Sequence, residues 1–133
     1  MELYTSQLSQ WRSVKALNIP YIDTTIKSGL TYFSPTWEMV SNYKKGLLSE
    51  QEYTLRYFRL MTQSQINIPK AWKKLFNYDQ LCIMCYCQRE TFCHRHLLKN
   101  IIKDYAEVHE FAFQYRGEIT KQGIINSENT LPH

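Results

Sequence analysis

The chain has 133 residues, 44% of them apolar, and a formal charge of +4. That length fills one domain and leaves no room for two well-buried cores, and ten tyrosines against four glycines exclude a low-complexity or linker-like chain. No apolar run approaches the roughly 18 residues that cross a bilayer, and residues 1–6 lack the basic and apolar regions of a signal peptide, so a cytoplasmic protein away from membranes is expected.

Residues 3–6 read as an opening strand, and Leu8, Trp11, Val14, Ala16 and Leu17 then recur at helical spacing. A β-rich run over 19–26 follows, with Pro20 near its start, where a strand tolerates proline. Gly29 breaks it, which makes 27–33 a loop. Ser34 and Pro35 are the residue types of an N-cap and a first helical position. The helix they open carries Trp37, Met39, Val40 and Tyr43 and stops at Gly46. Ser-Glu-Gln-Glu over 49–52 is a capping box. It predicts a longer helix with Tyr53, Tyr57, Leu60 and Met61 facing inward and Phe58 widening the stripe. Pro69 starts a short helix with Ala71, Trp72, Leu75 and Phe76. Trp11, Trp37 and Trp72 all fall on apolar stripes, and are expected in the core rather than as base-stacking platforms.

Residues 81–87, Leu-Cys-Ile-Met-Cys-Tyr-Cys, are the most apolar continuous stretch. Without polar alternation, such a run fits a strand buried on both faces of a parallel sheet. A polar bend over 88–91 precedes a helix with Leu97, Leu98, Ile101, Ile102 and Tyr105 on one face. Residues 108–115 are expected to form a last strand with His109 on its face. The organisation is then a single Rossmann-like α/β domain over 1–119, three layers around a small mostly parallel sheet, and a flexible tail over 120–133 ending at His133.

All four cysteines, Cys82, Cys85, Cys87 and Cys93, fall within twelve residues. A secreted scaffold spreads its cysteines to close long loops, whereas clustering reads as metal binding or catalysis. Residues two apart on a strand are separated by about 6.6 Å, at the limit of disulfide reach, so structural disulfides are not expected. In a parallel α/β sheet ligands sit beyond the carboxyl ends of the strands. Tyr4-Thr5-Ser6, Cys85-Tyr86-Cys87 and Cys93-His94-Arg95 converge there.

These motifs carry a resemblance. The chain resembles, over roughly residues 3–118, the bacterial and phage family known as domain of unknown function 488, and within it a group with a Cys-x-Cys variant. The matching features are Tyr4-Thr5-Ser6 with Trp11-Arg12, Phe33-Ser34-Pro35, Tyr43-Lys44-Lys45-Gly46, Glu52-Tyr53 with Arg56-Tyr57, and the run from Leu81 to Leu98. The resemblance implies a Rossmann-type fold with these residues lining a pocket at the strand ends. Many members carry Glu at the position of Cys87, and Glu90 is the nearest carboxylate in this sequence.

Arg95 falls in the first turn of a helix, where free N–H groups and the positive dipole end favour an anion and a guanidinium adds a bidentate grip. Its side chain is expected to face a solvated crevice; the alternative is a pair with a neighbouring acid. Cys93 at the same helix start is the candidate nucleophile, with a depressed pKa and His94 or His96 as base. Adjacent helical residues point about 100° apart, which makes a Cys93–His94 dyad awkward, and a small buried hydrophobe is the plainer fate. Cys85, Cys87, Cys93 and His94 form a Cys₃His set that zinc accepts by composition, but their spacing departs from the usual C-x₂₋₄-C knuckle, so neither metal nor cofactor is expected. Tyr4, Thr5 and Ser6 would offer hydroxyls to the crevice lined by Cys85, Tyr86 and Cys87.

The expected function is binding of a nucleotide or nucleoside-phosphate-like anion, by a sensing or sequestering module or by an enzyme acting on it. One alternative is a phage or bacterial nucleic-acid accessory protein using Arg56, Arg59, Lys73 and Lys74, although such scattered charge implies weak binding. Another is a zinc-stabilised interaction domain. Self-association is left open.

Overall fold

The computed structural model describes residues 1–27, 29–87 and 92–126. Strand β1 (Glu2–Gln7) passes through a 3-10 turn into helix α1 (Trp11–Ala16) and strand β2 (Tyr21–Asp23). After a second 3-10 turn come helices α2 (Trp37–Lys44), α3 (Glu50–Asn67) and α4 (Pro69–Leu75). Strand β3 (Gln80–Cys85), helix α5 (His94–Val108) and strands β4 (Gln114–Thr120) and β5 (Gly123–Ile125) complete the chain. The strands make one sheet in the order β2-β3-β1-β4-β5, parallel except for β5, which runs antiparallel to β4.

The interior strands β1 and β3 are buried on both faces, as the unbroken apolar run predicts. Leu3, Leu81 and Ile83 face the larger core, built with Tyr57, Met61, Trp72, Leu98 and Ile102 from α3, α4 and α5. Tyr4, Cys82 and Met84 point the other way, under Val14 of α1. The result is a three-layer α/β domain with unequal outer layers. Among the described residues no helix is long and apolar enough to cross a membrane.

Local signals act mostly where the sequence puts them. Ser49 caps α3 by accepting the Glu52 N–H at 3.1 Å. Gly46 ends α2 in the left-handed region, at φ +74. Its N–H reaches the Tyr43 carbonyl at 3.1 Å, and the Leu47 N–H reaches that of Asn42 at 2.8 Å. The start of α2 differs from expectation: the cap is Thr36, whose hydroxyl accepts the Met39 N–H at 3.2 Å. Ser34 serves a turn instead, its hydroxyl 3.0 Å from each of the carbonyls of Thr24, Thr25 and Leu30.

Other boundaries move for identifiable reasons. Strand β2 ends at Asp23: the Thr24 N–H makes the last ladder bond, to the Met84 carbonyl at 2.9 Å, and the Thr24 hydroxyl donates to the same carbonyl at 2.9 Å. The last parallel strand starts at Gln114, not 108, because α5 continues to Val108. His109 caps that helix with its ring 4.1 Å from Tyr105. Beyond Thr120, within the stretch expected as a tail, a turn with Gly123 at φ +115 lets β5 pair back on β4. Residues 127–133, with His133, lie outside the described residues, as do 88–91 with Glu90. Of the three tryptophans only Trp72 is core. Trp11 and Trp37 are 36% and 57% exposed, because α1 and α2 bury only Val14 and Met39. Cations cover their rings instead, Arg12 over Trp11 and Lys27 over Trp37. Phe58 does not widen the α3 stripe and is 49% exposed.

A candidate cysteine–histidine site at the head of helix α5

The neighbours β1 and β3 send their connections in opposite directions. The chain leaving β1 crosses to β2 beyond β3, and the chain leaving β3 crosses through α5 to β4 beyond β1. Helices α1 and α5 pack on opposite faces, so the two connections part above the carboxyl ends of the strands, where parallel sheets open a crevice.

Cys85 ends β3 opposite Gln7, the last residue of β1. Pleat alternation puts its side chain on the face of Ile83, toward α5. That helix begins at Cys93, an N-cap with extended backbone and no side-chain capping bond, and its first turn holds no acidic residue. His94 and Arg95 therefore enter the protein directly beside Cys85.

Arg95 is fully buried and its guanidinium is committed. Nε donates to Glu118 Oε1 at 3.3 Å and Nη2 to Oε2 at 2.9 Å. Nη1 donates to the Cys85 sulfur at 3.1 Å and to the Cys87 carbonyl at 2.8 Å. The expectation of an arginine facing solvent is thereby corrected: the alternative, a pair with an acid, is the one realised. Glu118 is on this face because of a bulge. Leu3 pairs with Tyr115 but Tyr4 with Gly117, so Arg116 is an extra residue and Glu118 falls opposite Thr5.

His94 is also buried. Its Nε2 lies 2.9 Å from the Thr24 carbonyl and 3.0 Å from the Thr24 hydroxyl. The carbonyl only accepts, and the hydroxyl spends its proton on Met84, so Nε2 carries the imidazole proton. Nδ1 then presents its lone pair to the Cys93 sulfur, 3.8 Å away. Burial lowers the His94 pKa and keeps the ring neutral.

The sulfurs of Cys85 and Cys93 lie within 4.8 Å of one another, and Cys87 interacts with both. The neighbouring Cys87 and Cys93 thiols, with the Arg95 guanidinium helping, hold the Cys85 pKa far below that of a free thiol, against its burial. Cys87, half-buried, is pushed up to about 11, first by the bond it gives to Cys85. Cys93 goes up strongly, through burial and then its bonds to the other two sulfurs. Negative charge is thus favoured on Cys85, the sulfur that Arg95 Nη1 reaches at 3.1 Å, over Cys93, the nucleophile expected from the sequence. Cys82 takes no part, being buried on the other face beneath α1.

Of the strand β1 hydroxyls none lines the crevice. Tyr4 lies in the smaller core, with its OH accepting from Gln80 at 3.3 Å. Thr5 is bonded to the Tyr115 hydroxyl at 2.6 Å, and Ser6 donates to the Ile119 carbonyl at 2.8 Å. Tyr86 is 63% exposed at the rim. Phe92, with Tyr43 and Tyr53 at 5.3 and 5.2 Å, walls the side nearest α3. Glu118 and Thr24 carry no signal in the sequence: Glu118 stands in a largely polar strand, Gln-Tyr-Arg-Gly-Glu-Ile-Thr.

A parallel α/β domain with sulfur and imidazole donors gathered at its strand ends is the class that this geometry defines. The chain belongs to the family DUF488-N3a, the active DUF488-N3 subclade, whose model matches residues 13–106. No curated protein and no solved structure matches the chain.

Proposed function

We propose that the domain binds a small nucleotide-like anion in the crevice between the carboxyl ends of β1 and β3, as a sensor or as an enzyme acting on it. The observation that carries this reading is the parting of the β1 and β3 connections above Cys85, the topology at which doubly wound sheets take their ligands. Charge supports an anion: the chain is basic overall, and the crevice contains the uncapped first turn of α5, free of acidic side chains. With Arg95 neutralised by Glu118, backbone N–H groups of that turn hold the anion rather than the guanidinium. Tyr86 gives a base a face to stack on. The description of the subclade as active favours the enzyme form.

The experiment is a thermal-shift titration with inorganic phosphate, nucleosides and nucleoside phosphates at low salt. Nucleoside phosphates should raise Tm more than either part alone. Tyr86→Ala, on an exposed side chain, should leave the unliganded Tm in place and weaken nucleotide binding by about 5- to 150-fold, the worth of one base–aromatic stack of about 1–3 kcal/mol. Equal responses of wild type and variant would remove Tyr86 from the site, and no response to any of the compounds would overturn the reading.

A further inference from the structure

The donors at the head of α5 are arranged more tightly than a ligand crevice requires. The sulfurs of Cys85 and Cys93 and a ring nitrogen of His94 all lie within 4.8 Å of one another. Zinc, bonded to sulfur at about 2.3 Å and to nitrogen at about 2.0 Å, sets neighbouring tetrahedral donors roughly 3.5–3.8 Å apart, so a small inward movement closes the set. A fourth donor is at hand in Cys87, which lies outside this tight set of three but close enough to interact with both other sulfurs. Its one-residue spacing from Cys85 counts against metal only if both sit on a strand, and β3 ends at Cys85, which frees Cys87 to turn inward.

The surroundings agree independently. A metal-bound imidazole almost always donates its other ring N–H to a carbonyl or carboxylate, and the Nε2–H of His94 has the Thr24 carbonyl at 2.9 Å. Arg95 donates to the Cys85 sulfur at 3.1 Å, as a positive group should beside thiolates that outnumber the charge of the ion. Among the donors of this set there is no carboxylate, which favours a soft thiolate-binding ion over magnesium or calcium.

The geometry points to a divalent metal site, zinc in kind, formed by Cys85, Cys87, Cys93 and Nδ1 of His94. Binding displaces the thiol protons to solvent and bonds three thiolates and one neutral imidazole to the ion, with no change of oxidation state. Four protein donors close the coordination sphere, which makes the ion a clamp fixing the end of β3 to the start of α5.

The test is elemental analysis of the full chain, purified with reductant and without chelator, then loaded with zinc and desalted. About one zinc per chain is expected. Cys93→Ser and His94→Ala should lose it, while Cys82→Ser, on the opposite face, should keep it. Because a ligand variant can fail to fold, the wild type exchanged with cobalt(II) is the second reading: tetrahedral thiolate coordination gives intense visible bands and near-ultraviolet charge transfer, which zinc abolishes. Wild type that retains no zinc after loading, or a cobalt spectrum of octahedral type, overturns the site. The nucleotide reading stands apart: zinc-free protein with Tyr86-dependent nucleotide binding sinks only the metal, and zinc-loaded protein indifferent to nucleotides sinks only the ligand.

Discussion

Arg95 and Glu118 meet as two parallel N–H···O bonds, at 3.3 and 2.9 Å, with side chains 0% and 7% exposed. Burial opposes the charge on Arg95, but Cys85 and Glu118 outweigh it and raise the guanidinium pKa above its ordinary value. The pair is therefore ionic inside the fold, and its purpose at Cys85 is to aim the remaining Nη1.

Breaking one side of such a pair strands a buried charge, which costs about 3–5 kcal/mol. Arg95→Ala and Glu118→Gln should each lose stability on that scale in urea denaturation. Removing both charges in Arg95→Met with Glu118→Leu should recover much of the loss, because the desolvation cost disappears along with the attraction. Single variants of near wild-type stability would return Arg95 to a solvated role.

Helix α5 sorts its two adjacent leucines differently. Leu98 is fully buried in the larger core and Leu97 only partly packed against it. Leu98→Ala should cost about 2–5 kcal/mol, and Leu97→Ala clearly less. Equal losses in the same denaturation series would mean that the helix is rotated about its axis.

The nucleic-acid alternative has its own measurement. Arg56, Arg59, Lys73 and Lys74 are exposed on α3 and α4, and Arg56 lies 3.7 Å from Glu38. Charge so dispersed releases few counterions, so duplex DNA should bind weakly and be lost near ~150 mM salt. A sub-micromolar Kd at that salt in a fluorescence anisotropy titration would favour the accessory-protein reading.

The architecture was legible where short-range chemistry decides it. The unbroken run at 81–87 signals a strand buried on both faces, Ser49 and Gly46 mark helix ends, and Cys93-His94-Arg95 marks the helix that meets the strand. Three things were hidden because they depend on distant partners. Glu118 reaches Arg95 only because a bulge at Arg116 reverses its face. Thr24 fixes the His94 tautomer from 70 residues away. Cys85 rather than Cys93 receives the Arg95 guanidinium, at 3.1 Å, a relation that no spacing rule contains. Strand alternation likewise sent Tyr4 and Ser6 to the face away from α5, though all three β1 hydroxyls looked equivalent in sequence.

The central claim is that a nucleotide-like anion lies between the carboxyl ends of β1 and β3. Its most direct test is to titrate a nucleoside phosphate into isotopically labelled protein and follow the backbone amide resonances. Shifts should concentrate on Gln7, Tyr86 and Cys87 and on the first turn of α5 from His94 to Leu97, and leave the exposed basic residues of α3 and α4 unmoved. Saturable shifts centred elsewhere, or none at millimolar nucleotide, would contradict the account.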